Sequence, residues 1–203
     1  MAVLYLPSAG RRTYAGAMHG ANFKPRSAGV NQRGIRDHNE RLILSILQRY
    51  KAAPGADLAR STGLSRPTVS TILRKLQADG LVRRGEPIRG RVGKPSIPIE
   101  LDPDGAFSLG LKIGRRSADL VLMDFAGNLR GQLHTTYEYP LPAAVFGFLE
   151  SGIGTLMQAL PDALHERVCG IGIATPFELW KWHSLTGAAA DQFQSWKNVD
   201  FAA

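Results

Sequence analysis

Residues 65–74 place arginines and short hydroxyl side chains at the spacing of one helix face. Guanidinium groups make paired hydrogen bonds to phosphate oxygens and to guanine edges, and short hydroxyl groups reach phosphates or base edges. These residue types therefore favour contact with double-stranded DNA. The predicted DNA-reading residues of this segment are Ser65, Arg66, Thr68, Ser70, Thr71 and Arg74.

A second basic group lies in the run GEPIRGRVGKP, which carries three glycines together with Arg89, Arg91 and Lys94. A glycine-rich basic loop can approach a phosphate backbone or enter the minor groove closely. The run could be mistaken for a phosphate-binding P-loop. However, its first glycine is misplaced, and Pro95 stands where that motif needs a serine or threonine for magnesium. We therefore predict that the three basic residues contact DNA.

The stretch Gly55–Lys75 must position the first group, and it has the pattern of a helix-turn-helix. Gly63 falls where the chain turns and needs a positive φ. Ser65 is placed to cap the second helix, whose first turn tolerates the following proline. An ordinary helical hairpin with a glycine turn is the alternative interpretation. The residues that match the helix-turn-helix spacing are Ala59, Gly63, Val69 and Ile72.

The flanking segments favour a winged helix over residues 31–101. Apolar residues recur at helical spacing in Asn31–Tyr50, which predicts a helix before the helix-turn-helix. Gly80 is placed to end the second helix of that motif. The segments Leu81–Arg84 and Ser96–Leu101 follow as predicted strands, with the basic run at their hairpin tip. Residues 1–30 show no lasting period and are rich in Gly, Ala, Ser and Arg, so we expect a mobile basic arm.

A second domain is predicted over residues 106–203, after the turn Asp102–Gly105. Its order of three strands, a helix and a buried strand is that of the first part of an actin-like, ribonuclease-H-like ATPase lobe. The fold class is thus an α+β winged helix-turn-helix joined to a partial α/β lobe. The predicted elements are strands Phe107–Ile113, Ala118–Phe125 and Leu129–Tyr137, helix Ala143–Leu160 and strand Val168–Ala174.

Charge is divided unevenly along the chain. Residues 1–100 carry 18 Lys and Arg against 6 Asp and Glu, whereas residues 101–203 carry 7 against 11. A basic half joined to a mildly acidic half indicates a polyanion-binding module attached to another domain. The single cysteine, Cys169, excludes an intramolecular disulfide, and no apolar run reaches the ~18 residues that span a membrane. We expect a cytoplasmic protein without a signal peptide or membrane partner.

From about Asn31 onward, the chain resembles the ROK family of repressors, open reading frames and kinases. Three sets of stretches carry the resemblance in the right order: NQRGIRDHNERLILSILQ with GLSRPTVSTILRKLQADGLV, then GRVGKPSIPIEL, then FSLGLKIGRRSADLVLMDFAGNL with GIGIATPFEL. The resemblance implies a regulator, most often a repressor, of carbohydrate-uptake or catabolic genes. It also implies that a sugar often relieves DNA binding. Because helix-turn-helix dimers read two half-sites related by symmetry, we expect a homodimer on a near-palindromic DNA site.

The chain departs from the kinase members of the family at their phosphate and metal motif. Kinases open this domain with an acidic residue on the first strand, followed by a glycine pair and a threonine. Here Lys112 replaces the acid and Arg115 replaces the second glycine. A lysine cannot ligate a metal dication, and an arginine side chain would fill the phosphate approach. We therefore expect no phosphoryl transfer, no enzyme activity and no cofactor, and a sugar kinase is the less favoured alternative.

The family's catalytic aspartate segment, its Glu-x-Gly-His stretch and its cysteine-rich zinc loop are not in the printed sequence. We expect only part of the effector domain, so the sugar site would be incomplete; an effector-blind fragment is a further alternative. Cys169 is expected to be a buried strand residue rather than a zinc ligand. The large apolar residues of the final segment could fold back as a partial cover or form a sticky surface, and its tryptophans could pack or stack on a sugar. These residues are Phe177, Leu179, Trp180, Trp182, Phe193 and Trp196.

Overall fold

A computed structural model of the protein describes residues 2–5, 32–87, 96–176, 179–181 and 193–199. The described residues form two compact units. The helical unit holds the described residues between 32 and 105 together with Phe125–Gly127. The sheet unit holds strand β1 (Ala2–Tyr5) and the remaining described residues from Ala106 onward.

Three α-helices form the body of the helical unit: α1 (Gln32–Tyr50), α2 (Gly55–Thr62) and α3 (Arg66–Ala78). The apolar residues that recur at helical spacing in the sequence face one another and exclude water, which stabilises the unit. The predicted first helix and helix-turn-helix are therefore confirmed. The buried residues of this core include Ile43, Leu47, Leu58, Ala59, Val69, Ile72, Leu73 and Leu76.

The turn between α2 and α3 depends on Gly63, whose φ of 70° lies in the left-handed region. A Cβ at this position would meet no atom within 4 Å, so backbone conformation rather than space requires the glycine. The Thr62 hydroxyl donates to the Leu58 carbonyl at 2.7 Å and accepts from the Leu64 N–H at 3.3 Å. These bonds satisfy polar groups that the end of α2 would otherwise leave free.

Helix α3 ends in a glycine cap. Gly80 has a φ of 71°, and its N–H donates to the Gln77 carbonyl at 3.0 Å. The Leu81 N–H donates to the Leu76 carbonyl at 2.8 Å. This pair of bonds is the Schellman arrangement, which closes a helix and redirects the chain. The predicted role of Gly80 is therefore confirmed, and the chain turns from α3 directly into the wing.

The wing begins from a small antiparallel sheet. Among the described residues it contains β2 (Ala52–Pro54), β3 (Val82–Arg84) and β4 (Pro98–Leu101), in the order β2-β4-β3. In this sheet β3 and β4 form the predicted hairpin, with Val82 opposite Leu101. The tip of that hairpin, with Arg89, Arg91 and Lys94, lies outside the described residues.

The sheet unit has the predicted order of three strands, a helix and a strand. The described strands lie in the order β1-β8-β5-β6-β7, with β5 parallel to β8 and the other neighbours antiparallel. The elements after the helical unit are β5 (Phe107–Ile113), β6 (Ser117–Asp124), β7 (Leu129–Thr136), α4 (Pro142–Gln158), α5 (Asp162–His165) and β8 (Val168–Ala174).

Strand β1 corrects one expectation. We expected residues 1–30 to form a mobile arm, but Ala2–Tyr5 pair antiparallel with β8, with Ala2 opposite Ile173 and Tyr5 opposite Gly170. The arm prediction is wrong for these four residues, because the short apolar run AVLY suits an edge strand beside a buried one. Residues 6–31 lie outside the part of the chain that the structure describes.

One face of the sheet carries the core of this unit. Alternate residues of β5, such as Leu109 and Leu111, are buried, whereas Ser108 and Lys112, which flank this pair, are exposed. Helix α4 packs on the buried face. Gly152 allows the close approach, because a Cβ there would lie 2.7 Å from a Leu120 methyl carbon. Burial of this apolar face supplies most of the driving force for the fold.

The final segment folds back on the same core. Leu179, Phe193 and Trp196 are buried in it, and the Trp196 indole N–H donates to the Pro140 carbonyl at 2.6 Å. The partial cover that we considered is therefore confirmed for these three residues, and Trp196 packs rather than offering a free stacking surface. Phe177, Trp182 and the side chain of Trp180 lie outside the described residues.

We predict opposite effects for the same change at two glycines. A Cβ at Gly105 would lie 2.8 Å from the Gly80 carbonyl oxygen and 3.1 Å from the Leu81 Cα, both backbone atoms. Gly105→Ala should therefore destabilise the helical unit by about 1–3 kcal/mol. A Cβ at Gly147, inside α4, would meet no atom within 4 Å, so Gly147→Ala should stabilise the sheet unit by about 0.5–1 kcal/mol.

The two variants are compared by differential scanning calorimetry of the whole chain. Gly105→Ala should lower the melting temperature of the helical unit, and Gly147→Ala should raise that of the sheet unit. Stabilisation by Gly105→Ala would contradict the close backbone approach described above.

Candidate nucleic-acid interface

Helix α3 divides cleanly into a buried side and an exposed side. Val69, Ile72, Leu73 and Leu76 are buried, and they fall within one narrow arc of a 3.6-residue helix. The remaining arc carries the polar residues that the sequence singled out. Every predicted reading residue of this segment is exposed: Ser65, Arg66, Thr68, Ser70, Thr71 and Arg74. The structure therefore brings all six onto the open side of one helix end, and their contact with DNA stays a prediction.

Ser65 has a local structural role in addition to its place on this surface. Its backbone is extended, and its hydroxyl oxygen accepts the Thr68 N–H at 3.3 Å. The Ser65 and Thr68 hydroxyl groups also lie 2.8 Å apart. This is the N-cap that the sequence predicts, and it satisfies one of the free N–H groups at the start of α3. The cap also holds the Thr68 hydroxyl in a defined position on the exposed surface.

Arg74 lies along α3 rather than pointing freely into solvent. Its Nε donates to the Ser70 carbonyl and its Nη2 donates to the Thr71 hydroxyl, each at 3.4 Å. These bonds are long, so they orient the guanidinium without consuming its other donors. The other guanidinium donors are of the type that phosphates and guanine edges accept, so the contact of Arg74 with DNA stays a prediction.

The base of the wing adds a residue that sequence reasoning missed. In β3, the Arg83 Nε donates to the Glu100 carboxylate at 2.7 Å, so Arg83 is tied to β4. Its neighbour Arg84 is exposed where the strand leads into the wing. An exposed arginine beside a basic hairpin is a candidate phosphate contact. The sequence did contain a signal for Arg84, because this residue directly precedes Gly85, the first residue of the predicted hairpin tip.

Lys75 is the basic residue of α3 that turns away from this surface. Its Nζ donates to the Glu40 carboxylate of α1 at 2.5 Å, and Glu40 is completely buried. No sequence pattern indicated this pair, because the two residues are separated by 35 positions and only the crossing of α1 and α3 brings them together.

In the sheet unit, a residue of the degenerate phosphate motif contacts a side chain of the neighbouring strand. Lys112, on β5, lies 3.9 Å from the Asp119 carboxylate of β6, and Asp119 contacts the His134 ring of β7 at 2.8 Å. The Lys112 side chain is thus part of a cross-strand polar ladder on the open face of the sheet. The Lys112 ammonium group therefore has a carboxylate partner on the neighbouring strand.

The hairpin after Lys112 is a tight closed turn. The Gly114 N–H donates to the Ser117 carbonyl at 2.8 Å, and a Cβ on Gly114 would lie 2.9 Å from that oxygen. The Tyr137 hydroxyl lies 2.9 Å from the Gly114 carbonyl and 2.8 Å from the Ser117 carbonyl. Burial raises the pKa of Tyr137 to about 12, so the hydroxyl keeps the proton that it donates. The turn presents two exposed arginines, Arg115 and Arg116, instead of an open glycine cradle.

Cys169 corrects a smaller expectation. We expected a buried strand residue, but its side chain is exposed on β8, because it falls on the open face of the sheet. Within the described ranges, no cluster of three or more His, Cys, Asp or Glu side chains could hold a metal ion. In the same ranges, no helix combines the length and apolar character needed to cross a membrane.

The helical unit matches a protein family described as winged helix-turn-helix DNA-binding, over residues 36–83. The match covers most of α1, all of α2 and α3, and the start of β3. The chain therefore carries a winged helix-turn-helix DNA-binding domain, and its exposed α3 surface belongs to that domain.

Known proteins and solved structures match this chain over stretches long enough to include parts of both units. The chain is 28% identical to the uncharacterized protein YphH of Escherichia coli K12, over 75% of this chain and 41% of that protein. It is 22% identical to the N-acetylglucosamine repressor of Escherichia coli O157:H7, over 66% of this chain and 32% of that protein. A crystal structure of a ROK family transcriptional regulator, a homologue of the Escherichia coli MLC protein, matches with a TM-score of 0.51 at 18% identity, over 70% of this chain and 36% of that one.

These comparisons confirm the resemblance to the ROK regulators and the fold class that the sequence predicts. A winged helix-turn-helix is followed by a mixed α/β region that matches part of a ROK regulator fold. The chain spans between 32% and 41% of the length of these proteins.

Proposed function

We propose that this chain is a sequence-specific, DNA-binding transcriptional regulator of the ROK type that represses carbohydrate-uptake or catabolic genes. In this proposal α3 enters the major groove and its exposed residues read base edges and phosphates. The wing grips the backbone or the minor groove through Arg89, Arg91 and Lys94. The protein works in the cytoplasm. It acts there as a homodimer, since helix-turn-helix dimers read two half-sites related by symmetry.

The observation that carries the proposal is the exposed side of α3. Six polar or basic side chains lie there on a helix whose opposite side is fixed by a buried apolar core. The helix begins with no acidic residue in its first turn, so nothing in that turn repels a phosphate. The matching family description places this helix in a DNA-binding domain, which supports base reading over a solely structural hairpin.

Arg66→Ala tests the reading surface. The binding partner is the duplex that the wild-type chain enriches from a random library. We expect the affinity for that duplex to fall by about 1–3 kcal/mol and the base preference to relax at one position. Fluorescence anisotropy titration measures the affinity. Arg116→Ala is the matched control, because it removes the same charge from an exposed position in the sheet unit and should leave affinity within error.

Lys94→Ala in the wing provides the second half of this test. Loss of one phosphate contact should weaken binding evenly across sequences and reduce the slope of log affinity against log salt by about one. If Arg66→Ala and Arg116→Ala lower the affinity equally, the assignment of α3 as the reading helix is wrong.

The carbohydrate link is supported by the relative that is an N-acetylglucosamine repressor. A sugar effector would act by changing the affinity for DNA, so a panel of hexoses and amino sugars is added to the anisotropy titration. Specific release of the duplex by one sugar would support an effector-responsive chain. No release by any member, with DNA binding intact, would favour the effector-blind alternative. We do not propose a sugar kinase, because Lys112 stands in the sequence where the kinase members carry the metal-binding acid.

A further inference from the structure

Glu40 is a buried charge that the proposed function does not use. Among the described residues, only Glu40 and Asp124 are charged side chains buried from solvent. The carboxylate of Asp124 accepts the Asn128 N–H at 2.8 Å and its side-chain amide at 3.0 Å, so it caps its own hairpin turn. Glu40 is different, because it bonds to Lys75 of another helix at 2.5 Å. Its role therefore concerns how α1 and α3 sit together.

Stability alone does not explain this pair. Removing a carboxylate from water is costly, and the attraction between a carboxylate and an ammonium group only about repays that cost. Two apolar side chains of similar size at the same place would often be as stable or more stable. What an ion pair adds is direction, because its atoms must meet at hydrogen-bond distance whereas apolar side chains can slide past one another.

The position of Lys75 on α3 allows its ion pair to restrict the rotation of that helix. It follows Arg74 directly and lies four residues after Thr71, on the border between the exposed side and the buried side. A second carboxylate, that of Asp79, lies 3.9 Å from the Lys75 Nζ. An attachment to α1 at this border resists rotation of α3 about its own axis. Such rotation would displace the exposed residues from the base edges that they read.

We infer that Glu40 is a positioning residue for base recognition. It holds Lys75 and thereby fixes the rotation of α3 about its own axis. This inference rests on the proposed function of α3 as the reading helix. It assigns the Lys75 ammonium group to the Glu40 carboxylate rather than to a phosphate. It also predicts that the ion pair matters more for discrimination between DNA sequences than for stability.

The test compares three variants of the full chain with the wild type. Glu40→Gln keeps the size of the side chain but removes its charge. Lys75→Met leaves the Glu40 carboxylate buried without its lysine. The double variant Glu40→Leu with Lys75→Met replaces the pair with apolar side chains. For each, the melting temperature is measured, together with the affinity for the duplex enriched by the wild-type chain and for the same duplex with its most selective base pair changed.

We expect the double variant to melt within a few degrees of the wild type while its ratio of the two affinities falls at least fivefold. Glu40→Gln should also reduce this ratio. Lys75→Met should melt lowest of the three, and the additional Glu40→Leu change should restore the melting temperature but not the ratio. The slope of log affinity against log salt should remain that of the wild type in every folded variant, because no phosphate contact is lost.

Three results would overturn the inference. If the double variant folds and keeps the wild-type affinity ratio, the ion pair does not position α3 for base recognition. If the double variant does not fold, the main contribution of the pair is to stability. A salt slope lowered by about one in Lys75→Met would place that lysine on a phosphate. Failure of the wild-type chain to enrich any duplex is a separate result, which would overturn the proposed function and this inference with it.

Discussion

Replacing Leu76 with alanine should lower the free energy of unfolding of the helical unit by about 2–5 kcal/mol. Leu76 is fully buried between the helices, and its removal leaves a cavity that the rigid helix-turn-helix cannot collapse. A small domain has about 5–15 kcal/mol of stability in total, so this loss is a large share of it. Because α3 carries the proposed reading surface, loss of DNA binding should follow loss of fold.

Leu129→Ala is the matched control for this change. Leu129 is 55% exposed, so the same chemical deletion should change stability by no more than about 0.5 kcal/mol. Urea unfolding followed by circular dichroism measures both variants. An equal loss in the two variants would show that Leu76 is not in a closed core.

Trp196→Ala should destabilise the sheet unit by about 3–5 kcal/mol. The indole is 4% exposed, its ring centroid lies 6.0 Å from that of Phe146, and its N–H donates to the Pro140 carbonyl. Alanine removes the packing and leaves that carbonyl without its donor. The final segment would then lose its ring contact with Phe146 of α4 and its hydrogen bond to Pro140.

Trp196→Phe separates the two contributions. It keeps an aromatic ring in the core but removes the N–H, so it should recover most of the stability lost in the alanine variant and still cost about 1–3 kcal/mol. Both variants are measured by thermal unfolding of the sheet unit. A melting temperature unchanged by Trp196→Ala would contradict the folded-back position of this segment.

The parts of the fold that local rules govern could be predicted from sequence. The turn at Gly63, the cap at Ser65 and the end of α3 at Gly80 each depend on residues within a few positions, and each is confirmed. The strands β5, β6 and β8 were also predictable, because their alternating or continuous apolar patterns match how each is buried.

Features that depend on contacts distant in sequence could not be predicted. The apolar run Ala2–Tyr5 is compatible with an edge strand, but its sequence does not indicate a partner strand that lies about 170 residues away. The Glu40 and Lys75 pair exists only because two helices cross. Cys169 looked buried because its strand is apolar, but one face of that strand is open in the described residues. The exposure of the six predicted reading residues at Ser65 and along α3 was predictable, because a single helix and its cap determine which of them share a side.

The most direct test of α3 as a DNA reader is sequence selection by the wild-type chain and by Arg66→Ala in parallel, from one random duplex library. We predict that the wild-type chain enriches a near-palindromic sequence, and that Arg66→Ala enriches the same sequence with the preference lost at one base pair of each half-site. Enrichment of an identical sequence with identical preferences by both chains, or no enrichment by the wild-type chain, would contradict this account.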